Sequence, residues 1–252
     1  MNNQPEAYLL PDWPAPDNIV ALTSLRAGGV SKPPYDSWNL ADHVGDERSA
    51  VSKNRLRLAE FLPTSASMYW MQQVHGDAVQ SPAIAEQQEV PIGDAWFCQQ
   101  PEKACCILTA DCLPILICDK RGQQVAAVHA GWRGVANRLL FKVMQLFHSP
   151  ADQLLVWIGP GISLPYFRVG NNVRDTLLST LRAPFPEASL ADDEDGFSYV
   201  DLASIARTQC QEFGVAGVYG GEYCSFSDAQ RYFSFRRDGV TGRNVSLILR
   251  LE

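Results

Sequence analysis

Residues 109–134, TADCLPILICDKRGQQVAAVHAGWRG, constrain the fold more than any other stretch of this chain. Two short apolar runs, 113–118 and 124–128, flank the turn residues Lys120, Arg121 and Gly122. Aliphatic runs of that length around a glycine turn predict two paired, buried strands. Asp111 and Cys112 precede the first run and His129 follows the second. Reactive side chains at the ends of buried strands sit on the rim of a rigid sheet, where their geometry is held. Beyond His129 the chain reads Ala-Gly-Trp-Arg-Gly and enters a helical pattern whose first amides would favour an anion. A thiol, an imidazole, a glycine-rich turn and Arg133 so close together read as an active site.

The rest of the chain supplies further strands and helices in irregular order. Strands are expected at 19–25, 68–74, 94–98, 105–109 and 154–158. Helical spacing predicts helices over 47–62, with Asp46 as N-cap, and over 135–148, 171–182 and 201–213. The segments 231–237 and 244–251 read as a β-hairpin around a basic loop. This mixture predicts an α+β fold with mixed sheets in place of a regular βαβ repeat. No linker or repeat divides residues 1–252, so a single domain is expected, burying roughly 70–75% of its unfolded surface.

Charge and cysteine usage narrow the functional classes. A net charge of -7 argues against nucleic acid or an anionic membrane as a partner, while leaving room for a small anion held by local arginines. No run approaches the ~20 apolar residues of a membrane span, and the N-terminus lacks the pattern of a signal peptide. Seven cysteines, several inside apolar strands, suit reduced thiols in a cytoplasmic protein.

Four histidines occur. His148 closes a predicted helix and His43 lies in a loop; His75 and His129 each end a predicted strand and are followed by glycine or Ala-Gly. One cysteine and two histidines at three strand ends suit Zn²⁺ with an open fourth position, where bound water ionises at about pH 7. The same residues also suit a metal-free thiol site, with Cys112 as nucleophile, His129 as base and Asp111 as orienter. Their separations match no compact metal motif, so the residues by themselves leave both chemistries open.

The blocks QQVHG, TADCLPILI and VHAGWRG resemble the signature blocks of the YfiH-type laccase-domain family. SLRAGGVS, PPYDSWNLADHVGD, VSKNRLRL, WIGPGI and FSFRRDGVTGR agree as well, so the resemblance covers residues 13–251. Ala41 and Trp96 depart from the usual pattern and bear on pocket shape more than on chemistry. The resemblance implies a four-layer α/β/β/α sandwich and a zinc ion held by His75, Cys112 and His129; a reducing cytoplasm and an exchangeable water position favour zinc over copper. It implies phosphorolysis of adenosine, inosine, guanosine and S-methyl-5′-thioadenosine, with adenosine deamination as a side activity, and a link to the editing of peptidoglycan precursors. The partners would be a purine nucleoside and phosphate, the protein acting as a monomer or small homo-oligomer. Phosphorolysis needs cations near phosphate and an acid near the base. Arg26, Arg133 and Arg237, with Arg236 and Arg243, are candidates for the first role, and Asp111 for the second. Met68 and Met71, near His75 in sequence, keep a copper site with an axial thioether in view.

Overall fold

A computed structural model describes residues 7–86, 90–182, 190–192 and 196–252. The strands are β1 (Tyr8–Leu9), β2 (Ile19–Ser24), β3 (Ser67–Tyr69), β4 (Val79–Gln80), β5 (Ala95–Cys98), β6 (Lys103–Thr109) and β7 (Leu113–Asp119). They continue with β8 (Val125–Ala130), β9 (Leu154–Ile158), β10 (Arg168–Gly170), β11 (Leu190–Asp192), β12 (Phe197–Val200), β13 (Gly217–Gly220) and β14 (Asn244–Arg250). The helices are α1 (Arg48–Ala59), α2 (Pro82–Ala85), α3 (Trp132–Ala136), α4 (Leu139–Met144), α5 (Asn171–Leu178), α6 (Leu202–Phe213) and α7 (Phe235–Asp238). One sheet runs β1-β2-β14-β6-β3, a second β13-β9-β7-β8-β5-β4, and a small third β10-β12-β11.

Strand alternation sets the layers, because successive side chains point to opposite faces. On β7, Ile115 and Ile117 pack with Leu139, Val143, Ile205 and Ala206 of α4 and α6. Leu116 and Cys118, one step out of phase, pack with Cys105, Ile107 and Ile248 of the other sheet. That sheet turns Ala104, Cys106, Leu108, Leu247 and Leu249 outward onto Leu58 of α1. The order is therefore helix, sheet, sheet, helix, as expected. Trp96, fully buried between the sheets, donates its indole N–H to the carbonyl of Cys106 at 3.1 Å and ties one sheet to the other.

The predicted hairpin at the centre forms as β7 and β8, antiparallel, with Pro114 opposite His129. His129 lies inside β8 and not after it. It shares a face with Val125 and Ala127, which line the space between the sheets.

Four expectations are corrected. The predicted helix over 135–148 is broken at Arg138, which sits at φ 55°, so α3 and α4 are separate turns. The predicted strand over 68–74 is confined to Ser67–Tyr69, and the chain then leaves the sheet. Glu47, not Asp46, is the N-cap of α1; the Asp46 carboxylate instead accepts from Ser31 and Asn39 side chains. The C-terminal hairpin does not form. Residues 235–238 are the short helix α7, whose N-cap Ser234 accepts the amide of Arg237, and β14 pairs between β2 and β6.

Candidate metal centre

Topology gathers the reactive residues at one end of the sandwich. β7 begins just after Cys112, and antiparallel β8 ends beyond His129, at the same end. β3 runs parallel to β6, so the segment after β3 reaches that end too and delivers His75. The ligand atoms of His75, Cys112 and His129 lie within 4.8 Å of one another. Cys112 Sγ is 3.7 Å from His75 Nε2. A tetrahedral zinc with bonds of about 2.0–2.3 Å separates its ligand atoms by roughly 3.3–3.8 Å. The soft sulfur and two ring nitrogens could thus hold a metal ion, the widest separation closing by about 1 Å for one of zinc's size.

Asp94 holds this arrangement, and the sequence reading had not singled it out. Its fully buried carboxylate accepts His129 Nδ1–H at 2.8 Å, the His75 amide at 2.9 Å and the Gly76 amide at 2.7 Å. Its own carbonyl accepts the His129 amide at 2.8 Å. One aspartate therefore fixes the His129 ring and pins the loop that carries His75. Bonding at Nδ1 leaves Nε2 of His129 for a metal, the usual arrangement of carboxylate, imidazole and ion. His75 is held at φ 57°, and Gly131 makes room. A Cβ there would meet Cys112 Sγ and His75 Cδ2, each at 3.1 Å.

The charges reinforce one another. Burial would raise the Cys112 thiol, but the His129 charge and hydrogen bonds from both imidazoles outweigh it and lower the thiol to about 6. Burial likewise opposes charge on His129, yet the Cys112 thiolate and the Asp94 carboxylate push its imidazole up to about 9. Asp94, despite burial, is held below the usual carboxylate range by His129 and the amides of Gly76 and Val74. Both directions favour a thiolate–imidazolium pair backed by a carboxylate in the metal-free cluster.

The cluster opens into a cleft of about 440 Å³ lined by His43, Gln73, Asp111, Phe167, Arg236 and Arg243 among others. Asp111, at φ 102°, accepts three hydrogen bonds, from the Ser225 and Ser234 hydroxyls and the Arg236 amide. It latches α7 against the start of β7. Arg236 and Arg243 are the two arginines on the cleft wall. Burial pulls the Arg243 guanidinium below its ordinary value, an effect opposed by Asp111 and Cys112.

The other expected arginines lie outside that lining. Arg26 pairs with Asp36 at 3.4 Å and with Asp238 at 3.6 Å. Arg237 donates to the carbonyls of Ser225, Phe226 and Tyr232 and pairs with Asp238, which makes it a brace inside the 225–238 loop. Arg133 lies over the Trp132 ring at 4.4 Å. The helix opening beside it, α3, is five residues long and not part of the cleft wall. Met68 and Met71 line a neighbouring cleft, not the wall around the cluster. Ala41 and Trp96 are core residues and line neither cleft.

Comparison with known proteins agrees over nearly the whole length. The family model for "Multi-copper polyphenol oxidoreductase laccase" matches residues 20–251. A purine nucleoside phosphorylase of Pseudomonas aeruginosa is 43% identical over 96% of this chain and 98% of its own. The Escherichia coli purine nucleoside phosphorylase YfiH is 38% identical over 95% and 97%. The crystal structure of a Neisseria meningitidis protein superposes with a TM-score of 0.92 at 37% identity, covering 98% of this chain and all of that one. With its sandwich, its His-Cys-His cluster and this end-to-end similarity, the chain belongs to the YfiH-type laccase-domain family.

Proposed function

We propose that this protein is a zinc-dependent purine nucleoside phosphorylase of the cytoplasm, with His75, Cys112 and His129 as the metal ligands. The observation that carries the reading is the His-Cys-His cluster backed by Asp94 in a cleft with two arginines. Relatives bearing the name purine nucleoside phosphorylase over their full length support it. Zinc in such a site supplies a Lewis acid for an oxygen of the reacting partners. The protein's own groups do the rest. Arg236 and Arg243 hold the phosphate, one of whose oxygens forms a bond to ribose C1′ as the C1′–N9 bond breaks and the base departs with the electron pair. Asp111 positions Arg236 through its amide.

The substrates proposed are adenosine, inosine, guanosine and S-methyl-5′-thioadenosine, with adenosine deamination as a side activity. A multicopper centre needs several clustered histidines, whereas this chain has four in all, and His148 is bonded through its amide to Gln124, at the end of β8 opposite to that of His129. Purified protein should release hypoxanthine from inosine only when phosphate is present. Cleavage at the same rate without phosphate would remove the phosphorylase reading.

A second reading has its own support. The Cys112 thiol lowered to about 6, beside an imidazolium, is also the state of a cysteine nucleophile. A hydrolase acting on an amide or ester of a peptidoglycan precursor would use it in that way. Irreversible loss of activity with a thiol-directed reagent in the zinc-loaded protein would favour this reading.

A further inference from the structure

A second and larger cleft, about 630 Å³, adjoins the metal cleft. The two share His43, Gln73 and Leu108 as a common wall. Gln73 is locked there, its amide donating to the Leu108 carbonyl at 2.9 Å and its carbonyl accepting the Leu108 amide at 2.7 Å. The threshold between the clefts is thus a fixed edge. Above it the His43 side chain is 60% exposed and faces both sides.

The far cleft offers a flat face to a ring. Its wall carries Trp70 with the Arg55 guanidinium stacked on it, 4.1 Å from the ring centre. That guanidinium is already engaged. Nε donates to the Leu40 carbonyl at 3.0 Å, and Nη2 pairs with Asp42 at 3.4 Å. It therefore adds a flat, immobile face and little net charge. Tyr69, Met68 and Pro91 line the same cleft, together with the polar side chains of Asp42, Gln72 and Gln73. The metal cleft instead carries Arg236 and Arg243 beside the cluster. At about 440 Å³ it lies in the lower part of the ~300–1,000 Å³ range of ligand pockets.

We infer that the far cleft, walled by Trp70 and Arg55, is a binding subsite for a planar heteroaromatic base, carried across the Gln73 threshold from a sugar in the metal cleft. The choice of a purine as that base rests on the proposed phosphorolysis; the stacking wall itself does not. The subsite also explains how bases with different substituents share one site, since stacking is sequence-tolerant and uses the π-face that every base has.

The test is calorimetric binding of hypoxanthine and inosine to the zinc-loaded protein, with Trp70→Leu, Trp70→Phe and Arg55→Lys beside the parent. The inference predicts that Trp70→Leu weakens both ligands by about tenfold or more, the size of one base stacking on an aromatic side chain. Trp70→Phe should keep most of the affinity, and Arg55→Lys, which preserves the charge and loses the flat face, should weaken it severalfold. Zinc content should be unchanged throughout. Parent-like binding by Trp70→Leu and Arg55→Lys would overturn the inference, as would failure of the parent to bind either ligand. If Trp70→Leu does not fold, the Phe and Lys variants decide. Because binding is read without turnover, base binding that depends on Trp70 in a protein lacking phosphorolysis would sink the activity and leave the subsite standing. Phosphorolysis with Trp70-independent binding would do the reverse.

Discussion

At the scale of single residues, the cluster depends on a group that is not itself a ligand. Asp94 gathers the His129 ring, the His129 amide and the His75 loop on one buried residue. Asp94→Asn should weaken zinc about 10–100-fold, the usual effect of losing a carboxylate behind a ligating imidazole; competition with a chromogenic chelator measures this, and unchanged affinity would contradict it. The ionisation states make a second prediction. The Cys112 thiol, depressed to about 6, adds stability that is lost as pH falls through that value. The His129 imidazole, raised to about 9, adds stability that is lost as pH rises through that value. Between those limits the metal-free protein keeps the ion pair. Zinc loading near neutral pH should then release about one proton, from His129, and not two. Thiolate absorbance of the metal-free protein should collapse near pH 6; a midpoint at an ordinary thiol value would show the pair is absent. Cys112 and His129 were legible because reactive residues at the ends of apolar runs stand out. Asp94 was not, since a single acid before a strand is usually a turn residue, and only the folded loop brings three donors to it.

At the scale of elements, apolar strands were read closely and irregular segments were not. Leu113–Asp119 and Leu154–Ile158 are buried on both faces, so their sequences are near-continuous aliphatic runs with little competing interpretation. The 231–238 segment misled because its Tyr-Phe-Ser-Phe alternation mimics a strand, while its side chains are committed elsewhere. Ser234 caps α7 and donates to Asp111, and Arg237 binds three carbonyls of its own loop. The arginines illustrate the same limit: which of them face a cleft depends on these latches. Ser234→Ala removes both the cap and a bond to Asp111. It should cost about 1 kcal/mol in stability and raise KM for phosphate through the shift of Arg236, with zinc content intact. Denaturant unfolding and phosphate-dependent kinetics check this; an unaltered KM would separate α7 from phosphate binding.

At the scale of the molecule, the two-sheet core should form independently of the metal site at its end, since a chain of this size buries enough surface without an ion. Leu116 is fully buried between the sheets, so Leu116→Ala should cost about 2–5 kcal/mol and leave zinc affinity unchanged. A parallel loss of zinc would show that core and cluster are coupled. The converse holds for Cys112→Ala, which should lose metal and turnover while melting as a folded protein, because a chain of this size does not need an ion to close its core. The most direct test of the central claim is phosphate-dependent cleavage of inosine followed as metal-free protein is titrated with zinc, in the parent and in Cys112→Ala. Turnover should rise in proportion to bound zinc and level off at about one ion per chain, with Cys112→Ala folded, metal-poor and inactive. Full activity in the metal-free parent, or a Cys112→Ala protein that keeps its zinc and loses turnover, would contradict the account and assign Cys112 to nucleophilic chemistry.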